Sequence, residues 1–228
     1  MNILEEIAEY TKKRIEESKV ERPLEDVKRK ALELPKGDFS FEKALKKDGI
    51  SFICECKKAS PSKGIIAQDF PYLEIAKEYE VAGADAISVL TEPKWFLGSN
   101  EYLREIAENV NIPIIRKDFT VDEYMIYEAK ILGASAVLLI VSILDEEQIR
   151  DYLKICDELG LSALVECHDE KEIETAIKCG ARVIGVNNRN LKNFTVDIGL
   201  GKSLRECVPE NLVFVSESGI KTPDDVRA

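Results

Sequence analysis

The chain has 228 residues, 45% of them hydrophobic and 33% charged, and a formal net charge of -11 at pH 7. That length suits one large domain or two small ones, and the composition is that of an ordinary globular protein. The negative charge argues against nucleic acid or an anionic membrane as the main partner. No apolar run is long enough to cross a membrane, and the acidic N-terminus lacks the pattern of a signal peptide. We therefore expect a cytoplasmic protein.

The N-terminal part of the chain is helical in pattern. Apolar residues recur at helical spacing over residues 2–19 and 24–34. A third, short helix is predicted to begin near residue 41, with Ser40 as its N-cap. Because these helices precede the first strong strand, we predict that residues 1–48 form a helical extension packed on the main body.

The first strand-like run combines charge with thiols. Glu55 and Lys57 lie two residues apart, so on a strand they point to the same face. Buried charge is costly unless it is paired, so this face is either a solvated edge or a site. Cys54 and Cys56 would point to the other face, as buried thiols. With one such pair and a single histidine, His168, we expect no metal site and no cofactor.

From residue 52 onward, strand-like runs alternate with helical patterns. The predicted strands are residues 52–56, 86–90, 113–116, 136–141, 163–165, 183–186 and 212–215. The predicted helices include residues 72–82, 102–109, 121–132, 146–159 and 171–179. Several helices end in a glycine that leads directly into the next strand. This repeat is typical of a parallel sheet covered by helices.

An open doubly wound sheet and a closed barrel both fit this repeat. The open sheet usually carries a glycine-rich phosphate turn after its first strand, and residues 57–61 do not form one. In a barrel, the functional residues follow the carboxyl ends of several strands. We therefore predict an α/β protein with a (β/α)8 TIM barrel fold, one domain over residues 1–228.

Polar side chains follow the strands at five carboxyl ends. The first strand contributes Glu55 and Lys57, and the later ones contribute Lys117, Glu166, Asn187, Arg189 and Glu217. Taken alone, a charged residue at a strand end is explained better by a solvent-exposed surface than by a functional site. In a barrel they converge on one mouth, where lysines and glutamates perturb each other's pKa and serve as acid and base.

An anion site is predicted after the seventh strand. Ser218 and Gly219 form a turn whose backbone N–H groups can approach a phosphate. Thr222 has the position of an N-cap, with a proline at the first helical position. Ser60 and Arg189 would complete the phosphate site. The alternative is an ordinary polar turn.

Six segments, in order along the chain, closely resemble those of indole-3-glycerol phosphate synthase. They are residues 55–62, 90–92 with Phe96 and 98–99, 117–119, 165–166, 185–191 and 217–220. The resemblance covers nearly the whole chain, including the helical N-terminal extension. The combination of the first and last segments is specific to this family among phosphate-binding barrels.

The resemblance implies a carbon–carbon lyase, a carboxy-lyase of tryptophan biosynthesis. The substrate would be 1-(2-carboxyphenylamino)-1-deoxyribulose 5-phosphate, and the products indole-3-glycerol phosphate, CO₂ and water. The partner would be this small phosphorylated molecule, bound without a cofactor by a monomer or weak homo-oligomer.

The resemblance also implies roles for the residues. Lys117 would protonate the ribulose carbonyl oxygen, and Glu166 would serve the later dehydration. Lys57, held by Glu55, would position the substrate carboxylate; both lysines stay candidates for the acid of ring closure. Asn187 and Glu217 would bind the sugar hydroxyls. The phosphate would be bound by Ser60, Arg189, Ser218 and Gly219. The apolar wall for the aromatic ring would consist of Phe96, Phe119 and Leu138. A plain core role explains these last three equally well.

The sequence departs from the family pattern at its end. The family has an eighth strand with a Gly-Ser phosphate loop and a final helix, and we expect this chain, ending at Ala228, to lack that unit. Exposed strand edges are a liability, so we expect weakened phosphate binding and poor stability, or an element supplied by another chain. The alternatives are a catalytically weak or silent phosphate-binding barrel and a relative of phosphoribosylanthranilate isomerase. Lys57 and Lys117 argue against the latter, which uses a Cys/Asp pair.

Overall fold

A seven-stranded parallel sheet forms the centre of the computed structural model, which describes residues 2–190 and 194–227. The strands are β1 (Ile53–Cys56), β2 (Ala86–Leu90), β3 (Ile114–Lys117), β4 (Ala136–Ile140), β5 (Ser162–Cys167), β6 (Val183–Asn187) and β7 (Val213–Glu217). Each strand pairs in parallel with the next along the chain. In the described part of the chain, β1 and β7 are therefore the two edges of the sheet.

Helices connect the strands and precede them. They are α1 (Ile3–Glu21), α2 (Leu24–Glu33), α3 (Ser40–Leu45), α4 (Tyr72–Val81), α5 (Asn100–Asn109), α6 (Glu123–Ile131), α7 (Glu146–Leu159), α8 (Glu170–Cys179), α9 (Gly199–Arg205) and α10 (Pro223–Arg227), with a 3₁₀ turn at Val141–Ile143. Parallel neighbours joined through helices are the connection of a (β/α) barrel. The predicted fold class is confirmed. Among the described residues, no helix is long and apolar enough to cross a membrane.

The strand residues alternate between two cores, as the period of two requires. One face of the sheet packs against the helices, with residues such as Ile87, Val137 and Val165 fully or almost fully buried. The other face forms an inner cluster that includes Ile115 and Leu164. Side chains two residues further along the inner face reach the carboxyl ends of the strands, which is where the polar residues lie.

The N-terminal helices cover two ends of the sheet. In α3, the backbone N–H of Glu42 donates to Ser162 Oγ at 3.1 Å, at the amino end of β5. In α1, Arg14 bonds Asp118 just after β3, at the carboxyl end. The prediction of Ser40 as an N-cap is wrong: Phe39 is the cap residue, with φ 59°, and no side chain caps this helix.

Candidate active site

The inner face carries charged and amide side chains where the strands end. They are Glu55 on β1, Lys117 on β3, Glu166 on β5, Asn187 on β6 and Glu217 on β7. The strand register aligns them, since Asn187 pairs with Glu217 and Glu166 pairs with Gly185. The structure thus brings five predicted site residues to one mouth.

Lys117 joins two carboxylates from other strands. Its Nζ donates to Glu217 Oε2 and to Glu166 Oε2, the latter at 3.3 Å. All three side chains are largely buried, with 16%, 12% and 4% of their surface exposed for Lys117, Glu217 and Glu166. Buried charges persist when they are paired and hydrogen-bonded, as these are.

The pairing decides the protonation state of Lys117. Burial alone would lower its pKa, but the negative charges of Glu217, Glu166 and Glu55 outweigh that effect and raise it above the usual value. Lys117 is therefore an ammonium group at neutral pH and carries the proton that an acid must supply.

The two carboxylates that share Lys117 differ from each other. Burial raises the pKa of both, and for Glu166 the positive charges of Lys117 and His168 more than reverse the effect and lower it. For Glu217, burial and the negative charge of Glu166 prevail, and its pKa is raised. The site therefore holds an ionised carboxylate beside one that binds its proton more tightly, which is a suitable pair for base and acid chemistry.

Amide groups hold the carboxylates in place. Asn187 Nδ2 donates to Glu166 Oε1 at 3.2 Å, and Asn187 Oδ1 accepts the backbone N–H of Arg189 at 3.0 Å. The carboxylate of Glu217 fits because it lies against a glycine of the neighbouring strand β6: a Cβ on Gly185 would lie 2.2 Å from Glu217 Oε1.

Glu55 and Lys57 form the rim of the site. Lys57 Nζ donates to Glu55 Oε1, and the two side chains are 31% and 32% exposed, so a ligand can reach them. Ser88 Oγ donates to Glu55 Oε2 at 3.4 Å. The opposite face of β1 carries the thiols, and burial raises the pKa of Cys56 to about 12.

The turn after β7 is left-handed at two successive residues. Ser218 has φ 66° and Gly219 has φ 86°, and a Cβ on Gly219 would lie 2.5 Å from Val196 Cγ1. The N–H groups of Gly219 and Ile220 donate to no backbone acceptor within the described ranges. Thr222 is an N-cap as predicted, accepting the N–H of Asp225 at 3.2 Å.

The other residues predicted for the phosphate lie on two loops. Arg189 donates from Nη1 to the carbonyl oxygen of Phe194 at 3.2 Å, in the loop that follows β6. Ser60 is buried in a hairpin that pairs Ala59–Ser60 with Gly64–Ile65, and its Oγ lies 3.4 Å from Ser62 Oγ. Leu191, the last residue of the resembling segment after β6, and Ala228 lie outside the described residues.

An aromatic pair and a leucine line the apolar side. The rings of Phe96 and Phe119 lie 6.3 Å apart between centroids. Both contribute to the inner cluster together with the buried Leu138. Phe96 is held by Glu92, whose carboxylate accepts three backbone N–H groups of its own loop, including that of Phe96 at 3.0 Å.

Three residues of the site were not predicted from the sequence. Glu92 shapes the loop that carries Phe96, and the buried Asn188 Nδ2 donates to the carbonyl oxygen of Ser218 at 3.1 Å. His168 contacts Glu166 and Glu172. The sequence does contain a signal for His168, because it lies four residues before Glu172, next to the start of a predicted helix. In the described part of the chain, no cluster of acidic, histidine and cysteine side chains is arranged to hold a metal ion.

Solved structures with low sequence identity share the fold. An N-acetylmannosamine-6-phosphate 2-epimerase from Clostridium perfringens superposes with a TM-score of 0.58 at 18% identity, covering 78% of this chain and 80% of that one. A monomeric phosphoribosylanthranilate isomerase from Thermotoga maritima superposes with a TM-score of 0.52 at 21% identity and the same coverage. At this identity, the likeness shows the barrel fold and nothing about activity.

Similar sequences reach much higher identity. The indole-3-glycerol phosphate synthase of Ruminiclostridium cellulolyticum is 56% identical over 227 residues, covering 99% of this chain and 87% of that protein. The enzyme of the same name from Lachnoclostridium phytofermentans is 52% identical, covering 99% and 88%. The family model for indole-3-glycerol phosphate synthase matches residues 4–228. The chain therefore belongs to the indole-3-glycerol phosphate synthase family.

Proposed function

We propose that this chain closes the indole ring of indole-3-glycerol phosphate, with Lys117 as the acid of the first step. The observation that carries the proposal is the buried Lys117 ammonium held between Glu166 and Glu217 at the strand ends. The substrate is 1-(2-carboxyphenylamino)-1-deoxyribulose 5-phosphate. CO₂ and water leave, so the reaction is a carboxy-lyase step with no net oxidation.

Ring closure needs a proton at the carbonyl oxygen of the sugar. The aryl carbon that bears the carboxylate attacks the carbonyl carbon, a carbon–carbon bond forms, and Lys117 Nζ gives a proton to the oxygen. The carbon–carboxylate bond then breaks, CO₂ leaves, and its electron pair restores the aromatic ring. A buried ammonium in contact with the reacting oxygen stabilises the charge that develops there.

Dehydration needs a base and an acid together. The ionised Glu166 removes a proton from the new five-membered ring, and the hydroxyl group leaves as water with a proton from Lys57, whose ammonium is no longer paired with the substrate carboxylate once CO₂ has left. Glu217, whose pKa is raised by burial and by Glu166, lies on the other side of Lys117 and, with Asn187, orients the sugar hydroxyls and the lysine.

The rim and the loops bind the two ends of the substrate. Lys57 leaves Glu55 to pair with the substrate carboxylate, and its exposure makes it the lysine that meets the ligand first. The wall of Phe96, Phe119 and Leu138 contacts the aromatic ring. The phosphate binds to the N–H groups of the turn at Ser218 and Gly219, with Ser60 and Arg189 contributing.

The domain organisation belongs to the same proposal. We infer one barrel domain with residues 1–48 as its helical extension, because α1 and α3 contact the sheet at both ends. A monomer or weak homo-oligomer, a cytoplasmic location and the absence of a cofactor stay predictions.

A direct assay tests the proposal. The purified chain is mixed with substrate, and product is followed by indole fluorescence. We expect Lys117→Ala to lower kcat by roughly 10²–10⁴-fold, the usual contribution of a general acid. Lys154→Ala removes an exposed lysine on α7 and is the matched control, expected to keep the wild-type rate. Equal rates for the two variants would overturn the role of Lys117, and phosphate binding without product would favour a silent barrel.

A further inference from the structure

His168 lies directly after β5 and bridges the candidate base to helix α8. Its Nε2 is 3.4 Å from Glu166 Oε1, and its Nδ1 is 3.1 Å from Glu172 Oε2. We propose that His168 is a positioning residue: a cation anchored by Glu172, it holds the Glu166 carboxylate in place and ionised. This proposal rests on the role proposed for Glu166 and adds a residue to it.

The anchor fixes the ring from two directions. Glu172 Oε2 accepts the backbone N–H of His168 at 2.8 Å as well as contacting Nδ1. Glu172 itself lies in the first turn of α8, where its N–H donates to the cap residue Asp169 at 2.9 Å. Because the same carboxylate holds both the backbone and the ring, the imidazole is fixed with Nε2 toward Glu166.

Glu166 is then contacted by three donors with different functions. Asn187 Nδ2 and His168 Nε2 approach Oε1, whereas Lys117 Nζ approaches Oε2. Lys117 gives up its proton in the proposed first step and loses its charge. His168 does not take part in that transfer, so Glu166 keeps a cationic neighbour throughout the cycle.

The charges around the ring agree with a permanent cation. Glu166 from β5 and Glu172 from α8 face it, and beyond Glu166 lie Lys117 and Glu217. Burial alone would lower the pKa of His168, but the neighbouring carboxylates of Glu166 and Glu172 raise it to about 10. An imidazolium has two N–H donors, so it serves Glu166 and Glu172 at once. Nε2 is buried and makes no hydrogen bond among the described residues, so its 3.4 Å approach to Glu166 Oε1 is an ion-pair contact.

An NMR titration of the His168 ring tests its contacts with Glu166 and Glu172 without measuring enzyme activity. His168 is the only histidine of the chain, so its ¹⁵N imidazole signals need no assignment by mutation. We expect an imidazolium that persists well above pH 8, and a lower pKa in Glu172→Gln and in Glu166→Gln. Glu174→Gln, an exposed position on the same helix, is the matched control and should leave the titration unchanged. A wild-type pKa near 6.5 would overturn the proposal.

Kinetics of His168→Gln test the positioning role. Glutamine keeps an N–H donor but removes the charge, so we expect kcat to fall about tenfold or more with little change in KM. The carboxyl ¹³C signal of Glu166 should titrate at a higher pH than in wild type. One outcome would overturn the positioning role and leave the proposed function standing. In it, the wild-type chain is active, Lys117→Ala is inactive, and His168→Gln keeps both the wild-type kcat and the wild-type titration of Glu166. If wild type forms no product, the proposed function fails, and the ring titration still decides the bridge.

Discussion

At the scale of single residues, the site depends on a glycine, Gly185, which has no side chain. Gly185 leaves room for the carboxylate of Glu217, since an added Cβ would lie 2.2 Å from Oε1 and 3.1 Å from Leu164 Cδ1. Both atoms are the far ends of flexible side chains, so an added methyl group can be accommodated by moving these side chains. The carboxylate of Glu217 would then lose its present geometry with Lys117.

Gly185→Ala should therefore impair catalysis more than folding. We expect kcat/KM to fall by about 10²-fold, the effect of a displacement near 1 Å. The melting temperature should change little, because the clash is relieved by side-chain movement. Steady-state kinetics and a thermal melt on the same preparation measure both quantities. A variant with wild-type kcat/KM would show that the position of Glu217 is unimportant.

His168 also gives the stability of the chain a pH dependence. Its folded pKa of about 10 lies above the value of about 6.5 expected in the unfolded chain. The folded state therefore binds this proton more tightly, and the stabilisation is fully present below pH 6.5 and is lost as pH rises toward 10.

Urea unfolding at several pH values between 6.5 and 10 measures this effect. We expect the free energy of unfolding of wild type to fall across this range more steeply than that of His168→Gln. The comparison removes the contribution of other groups, because these titrate in both proteins. Parallel curves would mean that His168 is not bound as a cation in the folded state.

The sequence predicted which residues would meet, but not how they contact each other. Lys117, Glu166 and Glu217 were predicted to converge because the carboxyl ends of parallel strands share one edge. The roles of His168 and Asn188 were missed because they depend on loop conformation and rotamers, which residue spacing does not determine. Glu92 was part of a recognised segment, yet its three backbone contacts could not be read from its type.

At the scale of elements, α1 is fastened to the segment that follows β3. Arg14 Nη2 donates to both oxygens of Asp118, at 2.9 and 3.0 Å, and Lys19 bonds Asp122 at 2.7 Å. Asp118 is buried and also accepts from Thr91 Oγ1 at 2.7 Å. Because Asp118 is the residue after Lys117, the helix helps to fix the end of the strand that carries the proposed acid.

Arg14→Leu should destabilise the fold by about 1–3 kcal/mol, since it leaves a buried carboxylate with one fewer charged donor. Lys12→Ala, which breaks the exposed pair with Glu9 on the same helix, should change stability by no more than about 0.5 kcal/mol. Chemical denaturation of both variants makes the comparison. Equal, small effects would show that α1 is not held by the Asp118 contact.

Element bounds were predicted well where the pattern was strong. The strand predicted at residues 86–90 is observed as Ala86–Leu90 and the helix predicted at 146–159 as Glu146–Leu159. Helix α9 was not predicted, because two of its seven residues are glycines, which weaken helix propensity. The hairpin after β1 was missed because its paired strands have two residues each.

At the scale of the whole molecule, the barrel architecture was predicted from two features of the sequence. Alternating strands and helices predict a parallel sheet, and the distribution of polar residues over several strand ends favours a barrel over an open sheet. The repeat does not determine whether the sheet closes into a complete barrel. Within the described residues, β1 and β7 each pair with one neighbouring strand. The chain covers 85–88% of the length of several curated relatives.

The central claim divides the reaction between two residues of one buried network. Lys117 acts in ring closure, before CO₂ leaves, and Glu166 acts in the dehydration, after it. A single-turnover experiment with carboxyl-labelled substrate measures CO₂ release and indole fluorescence separately. We predict that Lys117→Ala slows both signals, whereas Glu166→Gln releases CO₂ at close to the wild-type rate and slows only the indole signal. Rapid CO₂ release by Lys117→Ala, or equal loss of both signals in Glu166→Gln, would contradict this assignment.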